Sequence, residues 1–155
     1  GELRALQDTP MEEVLRVMDN ILWSNKVVRD WLHDSGIPVG QVLFISSGAA
    51  VYSNKGWNGY ALSKAALNMM AQLYVHDFPD THIAAFAPGL VHTQMQDDFR
   101  DHVDSSRFPS MQVLKDAIGT ELMPEPNEAG RLLADAFERL PRYPSGSFLD
   151  IRSMQ

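Results

Sequence analysis

The chain has 155 residues, with 13 Lys and Arg against 20 Asp and Glu, for a net charge of −7. That length suits one domain with a true core, and no linker, repeat or low-complexity tract divides residues 1–155, so a single domain is expected. The basic residues are scattered singly, which argues against nucleic acid, because phosphate binding needs clustered Lys and Arg. There are no cysteines, which removes disulfides, thiolate metal sites and cysteine nucleophiles together. No apolar run approaches the roughly 20 residues that span a bilayer, and no signal peptide opens the sequence. No membrane partner is therefore expected, and the cytoplasm is the expected location.

Thr9-Pro10-Met11-Glu12 reads as a helix start, with Thr9 as cap, Pro10 at the first helical position and Glu12 completing a capping box. Apolar residues then recur at helical spacing from Val14 to Leu32, and Gly36 and Pro38 close a helix of about 24 residues. Gln41–Ser46 has an apolar centre and reads as a buried parallel strand. Residues 47–59 read as a loop rich in Ser, Gly and Asn. A second helix is expected from about Asn58 to His76, ended by Pro79, and a second buried strand over His82–Ala87, closed by Pro88-Gly89. Residues 93–123 read as short helices over a cleft. A third helix is expected over Asn127–Leu140, capped at Asn127 or just before, and a last strand over Ser147–Ile151. Strands alternating with helices imply an α/β fold with a parallel sheet.

Tyr60-Ala61-Leu62-Ser63-Lys64 puts a phenol and an ammonium at i and i+4, one turn apart on one helix face. A lysine so placed stabilises a phenolate and lowers a pKa that is about 10 when unperturbed. Such a tyrosine can give its proton to a carbonyl oxygen or take it back. A surface Tyr-Lys pair has the same spacing, so the pair needs company. Ser46-Ser47 supplies it, ending a strand where open α/β sheets place their ligand crevices. Pro88-Gly89-Leu90-Val91-His92-Thr93 ends the next strand at the same sheet edge.

Three stretches together resemble the short-chain dehydrogenase/reductase family: Val42 to Gly48, Tyr60 to Leu67, and Pro88 to Thr93. They stand in family order with family spacing. The resemblance implies a Rossmann-like, doubly wound parallel sheet and NAD(P)-dependent reduction of a ketone or aldehyde. Tyr60 would be the general acid/base. Lys64 would tune it and hold the nicotinamide ribose. Ser47 would hydrogen-bond the substrate carbonyl. Asn20, twenty-seven residues before Ser47, would bend its helix and hold a water that relays protons to Lys64; Asn25 is its rival by residue type though not by spacing. Pro88, Gly89, Val91 and Thr93 would line the nicotinamide. His92 in this loop is either a solvated histidine or a substrate contact. Gly56 to Tyr60, Thr93 to Gln96 and Ser145 to Asp150 resemble the sepiapterin reductase-like subgroup, where Asp150 would anchor substrate; a solvated strand end is the competing reading for Asp150. No histidine spacing suits a metal.

The family's Gly-rich turn, where pyrophosphate meets a helix N-terminus, has no counterpart in this sequence, so the resemblance implies an incomplete sheet whose first strands and phosphate site are absent. NADP or NAD is the expected cofactor, with NADP somewhat ahead. The family also implies a homo-dimer or homo-tetramer built on helices 10–34 and 58–76, both of which have apolar residues beyond one stripe. A different class of protein, a non-catalytic nucleotide sensor or assembly partner, or an inactive fragment of the enzyme, is the alternative. An intact Ser-Tyr-Lys set favours the enzyme.

Overall fold

A computed structural model describes residues 3–94, 97 and 105–154 of the chain. Strands β1 (Gln41–Ile45) and β2 (His82–Ala87) pair in parallel from Gln41 opposite His82 to Ile45 opposite Phe86. A short β3 (Phe148–Asp150) pairs in parallel with the other edge of β2, giving the order β1-β2-β3. Successive side chains of a strand point to opposite faces, and here both faces are covered. On one face Phe44, Ile83 and Ala85 pack with Leu22, Leu67, Ala71 and Tyr74. On the other, Leu43, Ala84, Phe86 and Leu149 pack with Leu133, Ala136 and Leu140. That is the doubly wound arrangement, and it explains why β2 is apolar without alternation.

The first face is covered by α3 (Asn58–Asp77) and by a helical path made of α1 (Met11–Met18), a five-residue π-helical stretch (Asp19–Trp23) and α2 (Ser24–Asp34). The other is covered by α5 (Pro126–Arg139), and α4 (Pro109–Ala117) lies between β2 and α5 in the chain. The first helical path is therefore not one uniform α-helix. Its widened turn contains Asn20, and the carbonyls there are met by side chains: Ser24 Oγ donates to the Asn20 carbonyl (2.7 Å) and Asn25 Nδ2 to that of Ile21 (2.6 Å). Side-chain donors that bond back into a helix bend it. The Tyr74 hydroxyl donates to Asp30 (2.6 Å), tying α3 to α2. Burial and this acceptor push the Tyr74 pKa up.

Several boundaries differ from the sequence expectation. Thr9 is not a cap: its hydroxyl donates to Ala5 O (3.0 Å) and accepts from the Asn58 amide (2.5 Å), and Pro10 itself occupies the cap position. The side chain is used to join the entry of α1 to the entry of α3. Asn127 lies inside α5, which starts one residue earlier behind Glu125. Ser46 lies past the end of β1, although its N–H still donates to Phe86 O (2.7 Å). At the other edge Ile151 turns into a 3-10 turn over Ile151–Ser153, which stops β3 at Asp150. Met95 and Gln96 of the subgroup motif, and 98–104 of the expected cleft cover, lie outside the described residues. Among the described residues no helix is long and apolar enough to cross a membrane.

The joint between α3 and β1 sets the geometry of the sheet's C-terminal edge. Lys64 Nζ donates to Ile45 O (2.6 Å), and one turn further along α3 the Ser46 hydroxyl donates to Asn68 Oδ1 (2.5 Å). Both Lys64 and Asn68 are buried.

Leu67 is fully buried between α3 and the sheet, so Leu67→Ala should cost about 2–5 kcal/mol of folding stability, read from denaturant midpoints. Lys64 gives a second outcome. Burial lowers its pKa below the ordinary 10.5, so between the lowered and ordinary values the unfolded chain holds more protons than the folded one. Stability from this group rises with pH across that window and is lost as pH falls through the folded pKa. Lys64→Met should remove that alkaline slope, as denaturant melts of the two proteins across pH would show.

Candidate active site

Tyr60, Lys64 and Asn68 stand four residues apart on α3 and so form one stripe along its face. The stripe meets the C-terminal end of β1. Its middle member is held by the Ile45 carbonyl and its last by Ser46, and Tyr60, one turn before Lys64, lines the same cleft as Ser47. Lys64 Nζ lies 5.5 Å from the centroid of the Tyr60 ring. Burial away from water is what holds the Lys64 pKa down.

Ser47 and Tyr60 both line an open cleft of about 370 Å³ at this edge. Ser47 caps the turn over Gly48–Ala50, with Oγ accepting from Ala49 N (3.1 Å). An accepted bond leaves the hydroxyl proton available to donate elsewhere. The loop after β2 forms another part of the wall, through Gly89, Leu90, Val91 and Thr93. Gly89 has φ +79°, and a Cβ there would stand 3.3 Å from Ile151 Cγ2. That backbone region and that closeness both suit glycine. Pro88 is not on the cleft wall, and neither is Lys64.

The outer wall comes from the loop before α3 and from α4. Trp57 packs against the Tyr60 ring, with centroids 5.6 Å apart, and its Nε1 donates to Ser110 Oγ (2.9 Å). Tyr52, Val113 and Leu114 add to this side. Gly56 allows the two segments to meet: its φ is +94°, and a Cβ there would fall 2.8 Å from the Phe108 ring.

Asn20 is exposed, in the widened turn, and not on the cleft wall. His92 is also off the wall. Its ring bonds Glu125 (2.8 Å) and Asp97 (3.2 Å), and its N–H donates to Pro124 O, so it fastens the loop to the start of α5. The two carboxylates, Glu125 foremost, raise its pKa. Asp150 does line the cleft, paired with Arg152, and this guanidinium keeps its carboxyl below the usual range. Sequence reasoning passed over Asn68, Tyr52 and Arg152, and took in Trp57, Ser110 and Leu114 only as members of a motif or of the segment expected over the cleft. Asn68 was within reach, since it continues the four-residue spacing of Tyr60 and Lys64. α4 falls in the 93–123 segment expected to lie over a cleft, but which of its residues face the cleft carries no local signal, because only the fold sets that.

Chemically, two hydroxyl donors share a largely apolar cleft, with a buried ammonium behind one of them. The arrangement suits a polar double bond whose oxygen gains charge. The backbone of the loop Gly89 to Thr93, on a wall shared with Ser47 and Tyr60, could hold the nicotinamide end of a dinucleotide.

Comparison with known proteins finds similar chains among reductases. A benzil reductase ((S)-benzoin forming) of Saccharomyces cerevisiae is 46% identical over 65 residues, covering 41% of this chain and 25% of that protein. Sepiapterin reductase of Bos taurus is 39% identical over 75 residues, covering 48% and 28%. The crystal structure of the KRED1-Pglu enzyme superposes with a TM-score of 0.79 at 26% identity, over 94% of this chain and 62% of that one. The matched stretches thus span about a quarter of these two curated relatives, and the described fold about three-fifths of the solved structure. The family profile described as short chain dehydrogenase matches residues 5–104, and the chain belongs to the short chain dehydrogenase family.

Proposed function

We propose that this chain forms the carbonyl-reducing part of an NAD(P)-dependent oxidoreductase that converts a ketone or aldehyde to an alcohol. The observation that carries the reading is the shared cleft of Ser47 and Tyr60 with Lys64 fixed behind the phenol. When bound, NADP or NAD supplies the reducing equivalent. In this reading Gly89, Val91 and Thr93 hold the nicotinamide end, while Pro88 shapes the turn that leads into them. Ser47 donates to the substrate carbonyl oxygen and stabilises its developing charge. Tyr60 gives that oxygen its proton. The Lys64 ammonium offsets the negative charge left on the phenol. Asn20 serves through the bend of its helix and a water on the proton path to Lys64. The names of the benzil and sepiapterin reductases support a carbonyl compound as the substrate class.

Tyr60→Phe removes one oxygen and keeps the ring against Trp57. In the intact protein, carbonyl reduction should fall about 10²–10⁴-fold with the far-ultraviolet dichroism unchanged. Turnover near the parent level would remove Tyr60 from the chemistry.

The same reading includes assembly as a homo-dimer or homo-tetramer. Trp23, Val27, Val28 and Trp31 are exposed on the first helical path, and Leu62, Met69 and Leu73 on α3. A groove of about 630 Å³ between them is lined by Leu22, Trp23, Met69, Met70 and Leu73. Exposed apolar surface of this extent marks an interaction site, and a two-fold contact would bury it on both copies. The intact protein should scatter light as a dimer or larger at micromolar concentration, and Trp23→Glu or Met69→Glu should shift it towards monomer. A parent protein that is already monomeric would exclude the interface.

A further inference from the structure

Asp150 ends β3 on the cleft wall with 15% of its side chain exposed, and Arg152 stands next to it, 59% exposed. One guanidinium takes both carboxylate oxygens: Nε donates to Oδ1 (2.8 Å) and Nη2 to Oδ2 (2.5 Å), while the Arg152 backbone N–H also donates to Oδ1 (3.0 Å). This is the bidentate fork that arginine forms with carboxylates and lysine does not. The same cleft is lined by Tyr52, Trp57, Val113 and Leu114.

A carboxylate on a mostly apolar wall, if left alone, would recruit any ligand with a cation or a pair of N–H donors. Here its acceptors are already engaged within the chain. We propose that Arg152 is a specificity-determining residue: by closing onto Asp150 it makes that end of the cleft electrically neutral, so the cleft selects uncharged, flat, apolar carbonyl compounds over cationic or amidine-like ones. The aromatic and aliphatic wall suits such ligands, because flat apolar rings gain most from burial against Tyr and Trp. With Arg152 in place the Asp150 carboxyl is held below its ordinary range. That ordinary range, about 3.9, already lies well below neutral pH, so removing Arg152 would leave a charge on the wall. Ligand selection follows from the wall alone; that the ligand is a substrate rests on the carbonyl-reductase reading above.

The test uses two aryl methyl ketones of similar shape, para-isopropylacetophenone and para-amidinoacetophenone, with the intact protein and its cofactor. Calorimetric titration gives the two dissociation constants, and cofactor oxidation measured separately gives turnover. The parent protein should bind the isopropyl ketone more tightly. Arg152→Met should move the ratio of the constants towards the amidine by about tenfold or more, and the double variant Asp150→Asn, Arg152→Met should return it. Arg152→Lys, which keeps a charge but not the fork, should move it the same way by less, and serves if the Met variant does not fold. A ratio that stays within about twofold in the single variants, or a shift that survives loss of the Asp150 charge, overturns the proposal. A shifted ratio without turnover of either ketone leaves the selection standing and removes the reductase reading. Turnover with an unmoved ratio does the reverse.

Discussion

Everything at the sheet edge depends on how α3 is fastened to the end of β1. A buried ammonium donating to a strand carbonyl and a serine hydroxyl donating to a buried amide lie one helical turn apart. Two such contacts fix both the height and the rotation of the helix against the strand. Ser47 stands two residues past the end of β1 and Tyr60 lies in the first turn of α3, so their hydroxyls are registered to each other through main-chain geometry. Buried polar groups of this kind are costly when unpaired, and slipping the helix by one residue would leave Lys64, Asn68 and Ser46 all unsatisfied. The site is therefore held by penalties against misalignment as much as by attraction.

The packing behind this joint makes the closeness possible. Alanines at 84, 85 and 87 let helices approach β2 from both sides, while Phe44, Phe86 and Leu67 supply the bulk of the core. Ala87 also reaches the cleft wall, where a larger side chain would take ligand space. The central strand thus serves packing along most of its length and the cleft at its end.

Much of this was legible in the sequence because it was written in local terms. β2 was bounded by Pro88-Gly89 and matched to the residue, and α3 was bounded by loop residues before and Pro79 after. Tyr60, Lys64 and Ser47 could be placed because helix spacing and strand ends are local properties. Thr9 shows where that logic fails: its type and position fit a cap, but Asn58, forty-nine residues away, competes for the hydroxyl. Trp57 and Ser110 meet only after the sheet has brought their segments together, so neither could be paired from spacing. Asp150 was read with an open choice between anchor and solvated end. The bidentate fork from Arg152, two residues on, is a third state that residue type alone does not distinguish.

Lys64 has one further consequence. An amine that is dehydrated and surrounded by protein cannot be reached by an acylating or alkylating reagent while α3 stays seated. Lys55, in the exposed loop before α3, has no such protection. Modification of Lys64 therefore has to wait for local opening of the helix from the strand, and such openings are cooperative events with their own free energy. The ratio of labelling at Lys64 to that at Lys55 is a clock for how often the joint comes apart, carried within the chain and free of any introduced probe.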